Sequence, residues 1–383
     1  MSGDAAYITN ISAFLPNPPV ANDDMERILG QVGERPSRAR RMVLRSNQIR
    51  QRHYAIDPET LEPNYTNAEM TAIAVRQLAD SHFNLAEIDC LACGTSIADQ
   101  LMPSHAAMVH GELALPAMEI AATSGVCASG MAALKYAYMG VLAKQFKHAV
   151  ATGSDLSSRM MNAGNFNGEY EARAAALESN PEIAFEKDFL RWMLSDGAGA
   201  MLVESKPRSE GLSLKINWLD ILSYAGEMEA CMYAGAEKNA DGRLNGWQSF
   251  SPEARTENSI MAVKQDVKLL NEHIIHYTVE KPLQALQQKH ALSAEDVDWF
   301  VPHYSSGFFR DKVLAGLQAI DLNIPQERWF TNLTHKGNTG AASMYIMLAD
   351  LLNSGLLQPG QNILCYIPES GRFSTAFLYL TVV

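Results

Sequence analysis

Twice in this 383-residue chain, a turn holding glycine or serine opens a helix of small residues, and an apolar strand follows it. The first occurrence is "ATSGVCASGMAAL" (122–134), which continues through "KYAYMGVLAKQF" and is followed by "HAVATGSD" (148–155). The second is "THKGNTGAASMYIMLADLLNSG" (334–355), followed by "QNILCYIPESGRF" (361–373). A helix that is apolar nearly all round must be buried. Continuous apolar strands alternating with helices belong to sheets covered on both faces. The pattern therefore predicts an α/β fold of two similar halves facing each other, with boundaries at 1–210 and 211–383.

Further segments fit the same plan. "EIDCLACGTS" (87–96), "SDGAGAMLVES" (195–205) and "DVDWFVPHYSS" (296–306) read as buried strands, and "GFFRDKVLAGLQAI" (307–320) reads as a helix. "TNAEMTAIAVRQLADS" (66–81) reads as an amphipathic helix, with Thr66 and Glu69 at capping-box spacing. Two regions, about 157–190 and 220–265, are richer in Asn, Glu, Met and Tyr. They read as insertions covering a substrate entrance.

Composition excludes several classes. A hydrophobic content of 47% with 19% charged residues gives a globular protein with a large core. The five cysteines, an odd number, supply no disulfide framework and point to a reducing, cytoplasmic compartment. The opening segment has no signal-peptide pattern, and no apolar run is long enough to span a bilayer. A net charge of −12 argues against nucleic-acid binding. Against that balance, "ERPSRARRMVLRSNQIRQRH" (34–53) concentrates arginines, including Arg38, Arg40 and Arg41. It is either a solvated face or a landing site for an acidic or phosphate-bearing partner. Cys90 and Cys93 make one C-x-x-C without a second pair, and His273 and His276 lack carboxylates at ligand spacing. No metal is expected at either place.

Three residues carry potential chemistry. Cys127 stands where the first small-residue helix begins. It is either a small buried filler or a thiol at the positive end of the helix, whose dipole and free N–H groups would lower its pKa. His303 ends the strand "WFVPH", where it can point into a pocket or serve as a structural histidine. Asn338, in "KGNTGAAS", can polarise a carbonyl or cap the helix.

Taken together and in this order, "GVCASGMAAL", "DWFVPHYSSGFFRDKV", "GNTGAAS" and "LSDGAGAMLV" resemble the motifs of β-ketoacyl-ACP synthase III and its relatives in the thiolase superfamily, and "NQIRQRHYA" resembles an N-terminal segment of that family. The resemblance spans roughly residues 5–383. It implies the thiolase-like duplicated αβαβα five-layer fold and a Cys–His–Asn trio for Claisen condensation. Cys127 would take an acyl group from a thioester. His303 and Asn338 would stabilise the enolate of the second thioester. Backbone N–H groups at Cys127 and near Gly371 would form the oxyanion hole. It also implies acyl carrier protein (ACP) or CoA thioesters as substrates, no further cofactor, and a homodimer. That dimer would pair strands near "HAVATG", with Met102 reaching the partner's pocket.

The chain departs from the family in three ways. The usual glycine run of the C-terminal loop is "PESGRF" (368–373), whose Glu369 either faces the site as an extra acid or base or pairs with an arginine. The N-terminal tryptophan that stacks on CoA is missing, which favours an acyl carrier protein docking on the arginines. Gly340 replaces a common serine, with a small packing effect expected. These departures point to a specialised branch making a secondary metabolite, such as a dialkylresorcinol or cyclohexanedione. Transfer of the acyl group to an alcohol or amine is the alternative, and a non-catalytic partner subunit is a third reading. Cys365 lies outside the Cys-x-Gly motif of biosynthetic thiolases, and Asp196 reads as part of a structural turn.

Overall fold

The computed structural model describes residues 5–32, 40–166 and 190–383. At its centre is a nine-stranded mixed sheet. The strands are β1 (Ala6–Phe14), β2 (Cys90–Thr95), β3 (Glu119–Ser124), β4 (His148–Asp155), β5 (Gly197–Glu204), β6 (Leu214–Ser223), β7 (Trp299–Pro302), β8 (Asn362–Glu369) and β9 (Ser374–Val382). They lie in the order β7-β8-β9-β6-β1-β5-β4-β2-β3. The join between the two strand sets is short: Ala6, Tyr7 and Ile8 of β1 face Ile216, Lys215 and Leu214 of β6.

The layers follow from which way alternate strand residues point. Among the described residues, the helices that build them are α1 (Asn67–Arg76), α2 (His105–Leu113), α3 (Ser129–Leu142), α4 (Val267–Ile275), α5 (Lys281–His290), α6 (Arg310–Ala319) and α7 (Ser343–Asn353). Helices α3 and α7 are the middle layer. Their Met131, Leu134 and Met344 share one apolar cluster with Ala151 and Met201 of one strand set and Ile363 and Leu378 of the other. On the outer face of the first set, Leu91, Val150 and Leu202 pack with α1 and α2. On the outer face of the second, Phe300, Leu364 and Phe377 pack with α4, α5 and α6. The order is helix, sheet, helix, sheet, helix, the five-layer thiolase-like arrangement.

The small residues of α3 have a steric cause. A Cβ on Gly130 would lie 2.4 Å from the Ala341 carbonyl oxygen, and one on Gly153 would lie 2.2 Å from the same atom. The start of α3, the end of β4 and the turn before α7 thus meet backbone to backbone. Tyr345 Oη donates a 2.7 Å hydrogen bond to the Gly130 carbonyl across this junction. Thr66 and Glu69 form the expected capping box at the start of α1. Cys90 and Cys93 are both buried but belong to different apolar clusters, on opposite faces of β2. That geometry suits packing rather than shared ligation.

One expectation is corrected by the topology. Strand β4, which carries "HAVATG", is hydrogen-bonded to β2 on one side and β5 on the other, so it offers no edge to a second chain. The outermost strand of this set is β3, which is mostly exposed. Beside it α3 exposes Tyr136 and Met139, so that helix is not covered all round.

Candidate active site

Each chain segment that carries a candidate ends at the same place. Cys127 lies two residues before α3, in the turn between β3 and the helix. His303 directly follows β7, and its N–H continues the ladder to the Tyr366 carbonyl at 2.8 Å. Asn338 precedes α7 and is gripped by the segment before β5. Its N–H donates to the Met193 carbonyl at 3.0 Å, and its own carbonyl accepts from Ser195 at 2.8 Å. Strand ends and helix starts of both halves converge here, as in other α/β folds where ligands bind beyond the carboxyl ends of strands.

Cys127, His303 and Asn338 all line one cavity of about 870 Å³. Its remaining wall is largely apolar and rich in methionine, including Met160, Met161, Met193, Met232 and Met261. Methionine walls adapt to flexible apolar ligands. Both regions read as insertions contribute: Met160, Met161 and Leu190 from the first, Met232, Trp247 and Met261 from the second. Most of the first region lies outside the described residues.

The electrostatics differ from the reading of the helix start alone. Cys127 borders the cavity and is only partly buried by surface area, yet the protein encloses it deeply. Desolvation pushes the thiol above its ordinary value, and the nearby Asp155 and Glu369 carboxylates push the same way. All three effects favour the thiol over the thiolate as the resting group. Burial lowers the His303 imidazole to about 4, which keeps it neutral and able to accept a proton. The Asn338 Oδ1 accepts from the Gly340 N–H at 3.0 Å. Its Nδ2 has no partner among the described residues and is left to donate.

The remaining candidates fall in different places. Glu369 ends β8 and faces the nucleophile turn: its Oε2 accepts from Val126 N–H at 2.9 Å and Ala128 N–H at 3.2 Å. It pairs with no arginine among the described residues. Gly371 lies against Val126, and its carbonyl accepts from the N–H groups of Cys231 and Met232. Met102 is 84% exposed and stands outside the cavity of its own chain, whereas neighbouring Leu101 lines it. Arg40 is engaged by Glu26 at 2.7 Å and by the Asn22 carbonyl at 2.6 Å, which occupies it within the fold. Arg41 is exposed, and Arg38 lies outside the described residues.

Asp155 is a wall residue that the sequence reading passed over. It accepts from Ser96 N–H at 2.8 Å, Ser96 Oγ at 2.9 Å and Ala341 N–H at 2.7 Å, and burial raises it to about 6. Gly340 makes this possible. Its φ is +55°, and a Cβ there would lie 1.8 Å from the Asp155 Oδ2. The glycine therefore does more than adjust packing, contrary to the expectation from sequence. The available signal was "GSD", an acid closing an otherwise apolar strand. Asp196, by contrast, ties Ala55 and Ser158 together away from the cavity.

Fold and site define a thiolase-fold protein with a partly buried cysteine, a neutral histidine and an asparagine amide on the wall of one apolar cavity. A family profile described as 3-Oxoacyl-[acyl-carrier-protein (ACP)] synthase III C terminal matches residues 287–371. The beta-ketoacyl-[acyl-carrier-protein] synthase III of Koribacter versatilis is 22% identical, with 97% of each chain covered. The acetoacetyl CoA synthase NphT7 of a Streptomyces species is 23% identical, with 93% of each covered. Among solved structures, AbyA1, a tetronic acid condensing enzyme, superposes with a TM-score of 0.75 at 19% identity, covering 98% of this chain and 99% of that one. Cerulenin-bound OleA from Xanthomonas superposes with a TM-score of 0.71 at 16% identity, covering 100% of each. The chain is thus similar over nearly its whole length to beta-ketoacyl-[acyl-carrier-protein] synthase III proteins, and residues 287–371 match the C-terminal profile of that family.

Proposed function

We propose that this chain forms a carbon–carbon bond by Claisen condensation of two acyl thioesters, through an acyl-Cys127 intermediate. The observation that carries this reading is the convergence of Cys127, His303 and Asn338 on one apolar cavity. A protonated thiol needs a base; His303 is weakened as a base by burial, but it is unprotonated and on the same cavity wall, and it takes the proton as sulfur attacks the thioester carbonyl. The carrier thiol leaves with a proton, and the acyl group remains on sulfur. A second thioester then gives an enolate, either by losing CO₂, with the electron pair of the broken C–C bond left on carbon, or by giving an α-proton to the neutral His303 imidazole; its oxygen is held by the nitrogen donors of His303 and Asn338. The enolate carbon attacks the acyl carbonyl, the C–S bond breaks and the Cys127 sulfur is freed.

Asn338 favours this reading over acyl transfer to an alcohol or amine, because an enolate has use for a second nitrogen donor and a simple acyl acceptor does not. The apolar, methionine-rich wall supports medium or longer acyl chains, and the likeness to AbyA1 supports a secondary-metabolite branch. Arg41 is the described arginine candidate best placed for an acyl carrier protein, since Arg40 is internally engaged. A homodimer through the open edge at β3 and a cytoplasmic location belong to the same reading. None of the described helices is long and apolar enough to cross a membrane.

The test offers acyl-loaded enzyme malonyl and β-ketoacyl thioesters alongside alcohols and amines. Condensation gives a product whose new bond resists base hydrolysis. An ester or amide as sole product would overturn the proposal in favour of acyl transfer.

A further inference from the structure

The turn that carries Cys127 presents three consecutive backbone N–H groups, those of Val126, Cys127 and Ala128. Glu369 Oε2 accepts the first and third, at 2.9 and 3.2 Å. The Cys127 N–H between them makes no hydrogen bond to another described residue and faces its own sulfur. Glu369 reaches this place from the end of β8, in the other half of the molecule. The fit is close on both sides: its Oε2 lies 3.3 Å from where a Cβ on Gly125 would stand, and its Oε1 lies 3.4 Å from one on Gly371. Pro368 and Ser370 line the cavity on either side of it, but Glu369 does not.

We infer that Glu369 is a positioning residue: its carboxylate clamps the two N–H groups flanking Cys127, leaves the central one, beside the sulfur, for the acyl carbonyl oxygen, and places a negative charge next to the thiol. The inference rests on Cys127 being the nucleophile. A carboxylate accepting backbone N–H groups is held firmly, and a negative charge beside a thiol disfavours a second one. Glu369 shares this effect with Asp155 at the end of β4. The neutral His303 at the end of β7 adds no positive charge, and Arg372, whose guanidinium donates to the Met228 carbonyl at 2.6 Å, is not among the charges acting on Cys127. On the remaining wall, Asp99 caps α1 through the N–H groups of Asn67 and Ala68. Removing the Glu369 charge therefore takes away one of two carboxylates that oppose the thiolate.

The experiment is the pH dependence of iodoacetamide alkylation at Cys127, read by peptide mapping, in the wild type and Glu369→Gln. Glutamine keeps an acceptor oxygen but loses the charge. The midpoint is expected to fall by about one pH unit, so that alkylation below it speeds up about tenfold. If Glu369→Gln does not fold, Glu369→Ala is measured in the same way with the same expected shift. Alkylation of Cys127 with an unchanged midpoint would overturn the role of Glu369. Absence of alkylation at Cys127 in wild type and variant alike, together with no acyl adduct on the wild type from any acyl thioester, would overturn the nucleophile reading beneath it.

Discussion

Cys127, His303 and Asn338 were legible in the sequence only as a set, through motifs that resemble those of a known family; singly, each also fits a structural role as a buried filler, a structural histidine or a helix cap. The protonation states were not legible, because they depend on enclosure by segments far apart in the chain. Two outcomes follow at this scale. His303 is held neutral with a pKa of about 4 instead of the ordinary 6.5, so its charged form is rare above pH 5. Enzyme acylation should show no loss of rate on passing down through pH 6.5, read as acyl adduct per unit time from pH 5.5 to 7.5. Asn338→Ala should still acquire the acyl group but lose condensation at least about a hundredfold, the scale of losing one oxyanion donor. Equal loss of adduct and product would place Asn338 in acylation instead.

The strands and helices were read from periodicity, and the capping box of α1 was read from two residues. What pattern could not give was the meeting of elements. Asp155 matters because the end of β4 reaches Ser96 and the turn before α7, and Gly340 matters because it clears the way. Gly340→Ala should cost about 1–3 kcal/mol, since it adds a Cβ to a left-handed backbone and drives it into a buried carboxylate. Urea unfolding of wild type and variant measures this, and a change below 0.5 kcal/mol would contradict it. The pairing role given to β4 failed for a related reason: strand order within a sheet is set by long-range contacts, and composition does not show which strand is left at the edge.

At the scale of the molecule, the alternation of apolar strands with two small-residue helices was enough to indicate facing α/β layers. The extent of the cavity was hidden because part of its wall comes from the two regions that break the repeat. If the edge at β3 and the exposed side of α3 meet a second copy, the protein will run at about twice 42.1 kDa in light scattering, and Met139→Arg will shift it toward the monomer. The central claim, that this chain works through an acylated Cys127, is tested most directly by intact-protein mass spectrometry. Wild type and Cys127→Ala would be incubated with a panel of acyl-ACP and acyl-CoA donors. The account requires a mass increase equal to one acyl group in the wild type and none in the variant. An adduct that persists in Cys127→Ala, or no adduct with any donor, would contradict it.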